Sequence, residues 1–415
     1  MLEVSLKNVK KKFKEFQVPI IKLDGPWKAN IPLDIKQKYL VWPKEKEDLN
    51  ILGQGVCAFV LRMNLEIMRN RRIIGNECVA VKFPKIENHD NRYETTFTDS
   101  VMRELEILCK LDSKFIVKLL GVVPQAPGVP EYLKKIPIPC LVMECASHGN
   151  LSELLELKTL SLDWNEKKRS ILLDIFNGLE YLHNKSIAHK DLKTSNILIF
   201  EGLKAKISDF GISIFSNNSD GVRYRGDFEW LAPEMLQKNN LIKDNIAELY
   251  YPCDIWAFGL IIGSLLKNEE PFKYIKNEKK QLFSPEWLCK FYEETIARNM
   301  LTFYGKDIKA GISPNKEEGK IVNKVLLGCL NKERDKRATV QDLNKLFVEL
   351  GFLSNVIEKV TYTSLDDIDD IDDICGIKYK QLPPLLFKHG HYFEIEEFEI
   401  EEEITIQMHY KCTIT

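Results

Sequence analysis

The segment HKDLKTSN, residues 189 to 196, places three chemically useful side chains close together in the chain. Asp191 could accept a hydrogen bond from a hydroxyl group, and Lys193 could neutralise a phosphoryl group during its transfer. Asn196 offers a hard oxygen atom, and Asp209 in the later segment KISDFGIS offers a charged one, a combination that suits Mg²⁺. The residue types and their order therefore point to phosphoryl transfer.

Two earlier segments fit the same chemistry. LGQGVCAFV, residues 52 to 60, places Gly53 and Gly55 between two predicted strands, and glycines let backbone N–H groups approach phosphates. The alternative is an ordinary hairpin turn, which a glycine pair by itself more often marks. Lys82 ends the apolar strand VAVK, where it is either a strand-end charge or a phosphate contact.

A phosphate-binding lysine needs a carboxylate partner, and the next predicted helix carries two candidates. In TFTDSVMRELEILCKL, apolar residues such as Val101 and Leu105 recur with the spacing of one helical face. Glu104 lies beside that stripe, so we prefer Glu104 to Glu106 as the partner of Lys82.

The elements that must position these residues are strands first and helices later. Strands are predicted on both sides of the glycine pair, in ECVAVKFP and in PCLVMECA. Helices are predicted in NLSELLELK, EKKRSILLDIFNGLEYLHN, CDIWAFGLIIGSLLK, KIVNKVLLGCLNKE and TVQDLNKLFVELGF. CDIWAFGLIIGSLLK is apolar nearly all round, so we expect a buried helix of a larger body.

Composition narrows the class of protein. The 415 residues carry a net charge of -2, which gives no general attraction to nucleic acid or membranes. The longest apolar run, LIIGSLL, is too short to span a bilayer, and the basic start of the chain lacks the apolar core of a secretory signal. The ten cysteines form no CxxC pair, which favours reduced thiols and a cytoplasmic protein, with a nuclear location as the alternative.

Three regions follow from these patterns. Residues 1–45 form an N-terminal extension, residues 46–352 form the globular body, and residues 353–415 form a tail. The tail contains the acidic run SLDDIDDIDDI, which is typical of a linker. Its last stretch alternates like a strand with one slip at Glu396–Glu397, and a hairpin, a docking segment and partial disorder all stay open.

From about residue 46 to 352 the sequence resembles a eukaryotic protein kinase, most of all the tyrosine-kinase-like branch of Ser/Thr kinases. The matching pieces occur in the family's order: GQGVCA, VAVK, Glu104, HKDLKTSN, DFG, APE, DIWAFG and RAT. The resemblance implies an α+β, two-lobed kinase fold. The small strand-rich N-lobe would be 46–143, the larger helical C-lobe would be 147–352, and ATP would bind in the cleft.

The resemblance also implies roles for individual residues. Lys82, Glu104, Asp191 and Lys193 would be catalytic, and Asn196 and Asp209 would bind Mg²⁺. Met143 would be the gatekeeper. ATP would contact Leu52, Gly53, Gln54, Gly55, Val60, Ala80, Lys82, Met143, Glu144, Cys145 and Leu198. Structural roles would fall to an internal stack of Leu108, Leu119, His189 and Phe210, to the pair Glu234 and Arg337, and to Asp254 as a brace of the catalytic loop.

Three departures from the family pattern bear on function. Cys57 and Ala58 stand where an aromatic residue and a third glycine are usual, which predicts a stiffer loop and a weaker grip on the nucleotide. Asp227 stands where Ser/Thr kinases usually have a Thr that touches the catalytic residues, which puts the handling of peptide substrates in question. Lys190 replaces an Arg, so a planar phosphate-binding fork becomes a point charge.

The segment after DFG offers candidate phosphorylation sites. A phosphate there would add about -1.5 to -2 charges, and Lys190, Arg223 and Arg225 are its candidate receivers. For any single site, an ordinary solvated loop residue is the alternative. The candidates are Ser213, Ser216, Ser219 and Tyr224.

The resemblance implies an ATP- and Mg²⁺-dependent protein kinase acting on Ser/Thr hydroxyls in signalling. Lys193, two residues after Asp191, resembles the Ser/Thr-directed members, and dual specificity stays open. The partners implied are a protein substrate, an upstream kinase and a partner of the acidic tail. The alternative is a pseudokinase-like scaffold that binds nucleotide and partners without transfer, which Ala58, Asp227 and the tail would favour.

Overall fold

The computed structural model describes two compact units, Met1–Leu353 and Ser354–Thr415. Within the described residues, no helix is long and apolar enough to cross a membrane. The described residues are 22–23, 37–41, 49–54, 58–69, 72–84, 91–123, 140–158, 160, 166–215, 227–236, 247–271, 287–288, 324–352, 392–396, 400–401, 403–404 and 407–411.

The first unit begins with a seven-stranded sheet. Its order is β1-β2-β4-β5-β7-β6, with β3 also paired to β4, and every pair is antiparallel except β1 with β2. The strands are β1 (Lys22–Leu23), β2 (Gln37–Val41), β3 (Asn50–Gln54), β4 (Ala58–Arg69), β5 (Arg72–Pro84), β6 (Leu119–Val123) and β7 (Cys140–Glu144).

Alternation along these strands separates a core face from the opposite face. In β4, Leu61 and Met63 are buried while Arg62 between them is exposed, the period expected of a half-buried strand. In β5, Val81 and Phe83 lie in the same buried cluster as those residues of β4. Side chains of opposite parity, including Lys82, therefore project to the other face of the sheet.

The N-terminal extension, residues 1–45, contributes two strands to this sheet. Strand β2 pairs along the edge of β4, with Leu40 opposite Leu65. The Leu40 side chain is fully buried, and it joins the same apolar cluster as β4 and β5. The sheet therefore includes strands that come before residue 46, because burial of Leu40 stabilises a short strand with a weak local signal.

The rest of the first unit is mainly helical. The helices are α1 (Asn91–Leu108), α2 (Leu151–Glu156), α3 (Glu166–Asn184), α4 (Pro233–Leu236), α5 (Tyr251–Lys267) and α6 (Val340–Glu349), and residues 324–329 are also helical. Phe176 of α3 packs on Phe258 of α5 and on Phe347 of α6, with ring centroids 6.1 and 4.7 Å apart.

Capping and composition explain where several helices begin. Asn150 and Glu153 form a reciprocal capping box at the start of α2, and Thr339 and Asp342 form one at the start of α6. Nearly all of α5 is buried, as its apolar sequence predicts. The two-lobed α+β architecture expected from the sequence is confirmed.

Two short antiparallel strand pairs flank the segments that contain the candidate catalytic residues. They are β8 (Ile187–Ala188) with β11 (Ile214–Phe215), and β9 (Ile197–Ile199) with β10 (Ala205–Ile207). Residues 189–196 connect β8 to β9, and residues 208–213 connect β10 to β11. Antiparallel pairing therefore holds the HKDLKTSN and DFG segments side by side.

The second unit contains two antiparallel pairs. Strand β12 (Tyr392–Glu396) pairs with β15 (Gln407–Lys411), and β13 (Ile400–Glu401) pairs with β14 (Glu403–Ile404). Strand β12 ends at Glu396, where the alternation of the sequence slips. Strands β12 and β15 thus form an antiparallel pair within the tail, while the acidic run lies outside the described residues.

Candidate active site

Lys82 joins the sheet to both α1 and the DFG segment. Its Nζ lies 2.7 Å from Glu104 Oε2 and 2.8 Å from Asp209 Oδ1. Glu104 is almost fully buried on α1 beside the buried stripe of that helix, whereas Glu106 pairs with Lys110 at the surface. The structure thus brings together the predicted partners Lys82 and Glu104, with Asp209 as a second carboxylate.

The charges of this triad stabilise one another. Burial alone would lower the pKa of Lys82, but Asp209 and Glu104 outweigh it, so the pKa is raised and the ammonium group stays charged. Burial raises the pKa of Glu104, and Lys82 opposes that effect. For Asp209, burial favours a higher pKa, but Lys82 dominates and lowers it to about 2.

Helix α1 is tied to the DFG segment by a second set of contacts. Ser100 Oγ donates to the carbonyl oxygen of Gly211 at 2.9 Å, and Arg103 Nη1 donates to the same oxygen at 3.3 Å. A Cβ atom at Gly211 would lie only 2.7 Å from Ser100 Oγ. A larger residue at position 211 would therefore have to displace the Ser100 side chain and its hydrogen bond.

The segment between β8 and β9 holds Asp191 between two side chains. Lys193 Nζ lies 3.0 Å from Asp191 Oδ2, and Asn196 Nδ2 donates to the backbone oxygen and Oδ2 of Asp191 at 2.7 and 3.1 Å. Burial raises the pKa of Asp191, and Lys193 opposes that effect. The result is a preorganised carboxylate with a fixed orientation, as a proton acceptor requires.

Buried polar contacts hold this segment in place. Asp254 accepts hydrogen bonds from the backbone N–H groups of His189 and Lys190, both at 2.8 Å, and lies 3.1 Å from His183 Nε2. Lys190 has a φ of 67°, so Asp254 stabilises a left-handed backbone that a lysine rarely adopts. Asp254 therefore braces the loop, as the resemblance implies.

His189 links the two loops. Its Nδ1 accepts from the Asp191 N–H at 3.3 Å, so Nε2 carries the proton of a neutral ring and donates to the Ser208 carbonyl oxygen at 2.9 Å. The rings of His189 and Phe210 meet edge to face, with centroids 5.1 Å apart. Leu108 lies in the apolar cluster that contains Phe210, and Leu119 packs against that cluster.

Asp227 reaches the same site from the segment before α4. Its Oδ2 lies 3.3 Å from Lys193 Nζ, so Lys193 lies between two carboxylates. Burial would lower the pKa of Lys193, but Asp191 and Asp227 together raise it. An ion pair therefore stands where the family usually has a threonine hydroxyl.

Most residues expected to contact ATP lie on β3, β4, β5 and β7 of the sheet. Ala80 lies opposite Met143 across β5 and β7, and Val60 lies opposite Lys82 across β4 and β5. Leu52, Gly53 and Gln54 lie in β3, Leu198 lies in β9, and Gly55 and Cys57 lie outside the described residues.

Glu144, the last residue of β7, has its backbone N–H group and its carboxylate engaged within the protein. The Glu144 N–H donates to the Lys118 carbonyl oxygen at 3.1 Å, and its carboxylate pairs with Lys206 Nζ at 2.8 Å. Backbone hydrogen bonds to a nucleotide from Glu144 would therefore come from its carbonyl oxygen. The pairing of Glu144 with Lys206 had no signal in the sequence, because the two residues meet only in the fold.

The donor atoms near Asp209 fit Mg²⁺ bound together with phosphates. Asn196 uses Nδ2 as a donor to Asp191, which leaves Oδ1 as its metal-binding atom, and the Asp209 side chain is 44% exposed. Among the described residues, no group of three or more His, Cys, Asp or Glu side chains could hold a metal alone. Phosphate oxygens would complete the coordination, as is usual for Mg²⁺.

Ser213, in the segment between β10 and β11, is not accessible for phosphorylation in this structure. Ser213 was a candidate phosphorylation site, but its side chain is fully buried and Oγ donates to the His189 carbonyl oxygen at 2.9 Å. A hydroxyl in this position is closed to another kinase, because the loop packs against β8. Ser216, Ser219 and Tyr224, together with Arg223 and Arg225, lie outside the described residues.

Lys190 differs from an exposed phosphate receiver. Its residue is 8% exposed, and Nζ lies 4.4 Å from the centroid of the Tyr250 ring. Burial, and next Arg103, lower the pKa of Lys190 to about 8. Lys190, one of the candidate phosphate-binding residues, is thus buried, and its ammonium group loses its proton more readily than that of an ordinary lysine.

Arg337 anchors the substrate side of the C-lobe. Its guanidinium group donates to both carboxylate oxygens of Glu234, one of them at 2.6 Å, and also to the Asn331 and Pro252 carbonyl oxygens. Both residues are buried. The bidentate pair fixes α4, which follows the segment that carries Asp227.

Comparison with known proteins agrees with this geometry. The protein kinase domain model matches residues 47–347, which is most of the chain. The chain is similar to serine/threonine/tyrosine-protein kinase HT1 of Arabidopsis thaliana, with 28% identity over 49% of the chain and 48% of the relative. It is also 32% identical to mitogen-activated protein kinase kinase kinase 13 of Homo sapiens, over 41% of the chain and 16% of that protein.

A third relative aligns over more of the chain. It is the probable serine/threonine-protein kinase drkC of Dictyostelium discoideum, 27% identical over 66% of the chain and 34% of the relative. The alignments span less than half the length of each of these relatives. With the family model matching residues 47–347 and the family's motifs assembled around Lys82, Asp191 and Asp209, the chain belongs to the protein kinase family.

Proposed function

We propose that this protein transfers the γ-phosphoryl group of ATP to Ser or Thr hydroxyls of protein substrates, with Mg²⁺ as the metal. The observation that carries the proposal is the simultaneous contact of Lys82 with Glu104 and Asp209, beside an Asp191 held by Lys193 and Asn196. A binding scaffold has no physical need for this complete set of oriented charges.

The chain's own residues would divide the work between binding and orientation. Lys82, fixed by Glu104, would hold the α- and β-phosphates. Asn196 Oδ1 and the Asp209 carboxylate would hold Mg²⁺, which when bound neutralises phosphate charge. The acceptor hydroxyl would donate its hydrogen bond to Asp191, whose pKa is raised by burial, and Lys193 would offset charge on the transferred group.

Specificity for Ser/Thr rests on Lys193, which follows Asp191 by two residues and contacts its carboxylate. The name of the HT1 relative includes tyrosine, so dual specificity is the alternative within the same reaction. A protein substrate and an upstream kinase are the partners that this function requires.

The test is a transfer assay on the purified full chain with labelled ATP, Mg²⁺ and mixed Ser, Thr and Tyr peptides. We expect Mg²⁺-dependent transfer to Ser and Thr, and a decrease of at least about 100-fold in Asp191→Asn with nucleotide binding retained. Asp335→Asn is the matched control, because Asp335 is exposed and pairs only with the adjacent Arg334 among the contacts seen.

Two results would contradict the proposal. Transfer by Asp191→Asn at the rate of the unsubstituted protein would exclude Asp191 as the proton acceptor. Nucleotide binding without transfer at any Mg²⁺ concentration would favour the scaffold alternative. Phosphoamino acid analysis of the product separates Ser/Thr specificity from dual specificity.

A further inference from the structure

Two cysteines lie opposite each other at the end of the β5–β7 pair. The register pairs Val79 with Glu144 and Ala80 with Met143, in the antiparallel sense. Extended by one residue beyond the end of β7, the same register places Cys78 opposite Cys145. Directly opposed residues in antiparallel strands have Cα atoms about 4.5–5.5 Å apart, within the range of about 4.4–6.8 Å that a disulfide bond allows.

The electrostatic surroundings agree with this juxtaposition. The Cys78 thiol and the Arg62 guanidinium group both influence the pKa of Cys145, so the three side chains lie within interaction distance of one another. Arg62 comes from β4, where it pairs with Ala80, so three separate segments meet at this point. The two thiols and a cation therefore form a built cluster rather than a chance approach of one cysteine.

The cluster lies on the nucleotide face of the sheet. Side chains alternate along a strand, so Cys78 shares its face with Ala80, and the opposed positions Met143 and Cys145 share that face too. Ala80 and Met143 are residues expected to contact adenine. The thiols thus lie at the rim of the proposed nucleotide site, in the segment that follows β7.

Accessibility suits reaction with an oxidant. Cys78 is exposed and Cys145 is half-buried, whereas Cys140, Cys253 and Cys329 are buried. Burial raises the pKa of Cys145, and the adjacent Arg62 guanidinium offsets part of that rise, so it supports the thiolate more than an apolar neighbour would. Among the described cysteines, this pair combines a second thiol, an adjacent cation and contact with solvent.

We propose that Cys78 and Cys145 form a reversible disulfide bond on reaction with a hydroperoxide, and that this bond closes the nucleotide site. The Cys78 thiolate attacks one peroxide oxygen, the O–O bond breaks, and a sulfenic acid and water form. The Cys145 thiolate then attacks the Cys78 sulfur, the S–O bond breaks, and a second water leaves. Two thiols lose two electrons and hydrogen peroxide is reduced to two waters.

The effect on nucleotide binding rests on the proposed function. A bond between β5 and the segment after β7 fixes the backbone that would accept adenine. It also places two sulfur atoms at the rim of that site. We expect about tenfold weaker binding of a fluorescent ATP analogue in the oxidised protein, with full recovery after reduction by dithiothreitol.

The test uses the reduced full-length protein and equimolar hydrogen peroxide. Mass spectrometry of a non-reduced digest should show the peptides of Cys78 and Cys145 joined with loss of two hydrogens. Cys78→Ser should lose both the bond and the effect of peroxide on nucleotide binding, while Cys109→Ser, at a half-buried cysteine away from the cluster, should keep both. Arg62→Gln should slow bond formation several-fold, because it removes the cation that favours the thiolate.

Each alternative outcome bears on one proposal only. A digest in which Cys78 is joined to a different cysteine, or is overoxidised without a bond, overturns the inference whatever the nucleotide result. A mapped Cys78–Cys145 bond that leaves nucleotide affinity unchanged overturns the closing effect. Failure of the reduced protein to bind any nucleotide would instead count against the proposed function, since the bond is mapped without nucleotide.

Discussion

The carboxylate of Asp227 lies 3.3 Å from the ammonium group of Lys193. Lys193 also lies 3.0 Å from Asp191, so one lysine is shared by the proposed proton acceptor and by a residue from the segment before α4. The Asp227 side chain is 64% exposed. Its negative charge therefore competes with a transferred phosphoryl group for Lys193.

Replacing Asp227 with Thr or Asn should accelerate transfer to a neutral peptide. Both substitutions remove the charge that competes for Lys193. Because exposed ion pairs are weak, we expect an increase in kcat of only about two- to fivefold. Steady-state kinetics at low and high salt check this, and the gain should shrink at high salt because screening already weakens the pair. A decrease in kcat in both variants would mean instead that Asp227 positions Lys193.

Replacing Gly211 with Ala should uncouple α1 from the DFG segment. The new Cβ would lie 2.7 Å from Ser100 Oγ, so Ser100 must rotate and lose its hydrogen bond to Gly211, or the two segments must move apart. We expect roughly a tenfold decrease in kcat/KM for the peptide, since small displacements of catalytic groups are costly. The measurement is a steady-state transfer assay.

A matched double variant tests whether that clash is the cause. Ser100→Ala removes Oγ, so Gly211→Ala combined with Ser100→Ala should recover most of the lost activity, a clear departure from additivity. Ser100→Ala alone should cost little more than one hydrogen bond. Additive losses in the double variant would show that Gly211 is required for another reason.

The parts of the site that the sequence predicted are those encoded by local spacing. Asp191, Lys193 and Asn196 lie within one short segment, and helical periodicity alone favoured Glu104 over Glu106 as the partner of Lys82. The buried α5 helix followed directly from its apolar composition. In each case the prediction depends only on residues that are close together in the sequence.

The parts that the sequence did not predict depend on contacts between distant segments. The pairing of β2 with β4 depends on burial of Leu40 in a core made by other strands. The approach of Cys78 to Cys145 depends on strand register, which a one-residue slip would abolish. Asp227 was recognised as a departure from the family, but its contact with Lys193 appears only when the chain folds.

Replacing Arg337 with Ala should destabilise the protein. The substitution leaves the buried carboxylate of Glu234 without its bidentate partner, and losses of this kind cost about 3–5 kcal/mol. Urea denaturation followed by tryptophan fluorescence measures the free energy of unfolding. Lys336→Ala is the matched control, because Lys336 is exposed and pairs only across one helical turn with Glu333 among the contacts seen. Equal losses in the two variants would contradict a special role for the buried pair.

Lys190 should make stability depend on pH in the alkaline range. Its pKa is about 8 in the folded protein, because of burial and then Arg103, against 10.5 for an ordinary lysine. Between these values the unfolded chain binds more protons than the folded one, so this residue makes the free energy of unfolding rise with pH. The groups around it are Arg103 from α1 and Tyr250, Cys253 and Asp254 at α5.

Replacing Lys190 with Met removes this titration while keeping an unbranched side chain. Relative to the unsubstituted protein, the stability of Lys190→Met should therefore fall by about 1–3 kcal/mol between pH 7 and pH 10, because the unsubstituted protein gains stability over that range. The substitution also removes the cation above the Tyr250 ring, which lowers the stability of the variant by a smaller amount at neutral pH. Urea denaturation at several pH values measures the difference, with Lys332→Met at an exposed site as control. A difference that stays constant across this range would show that Lys190 keeps the pKa of an ordinary lysine.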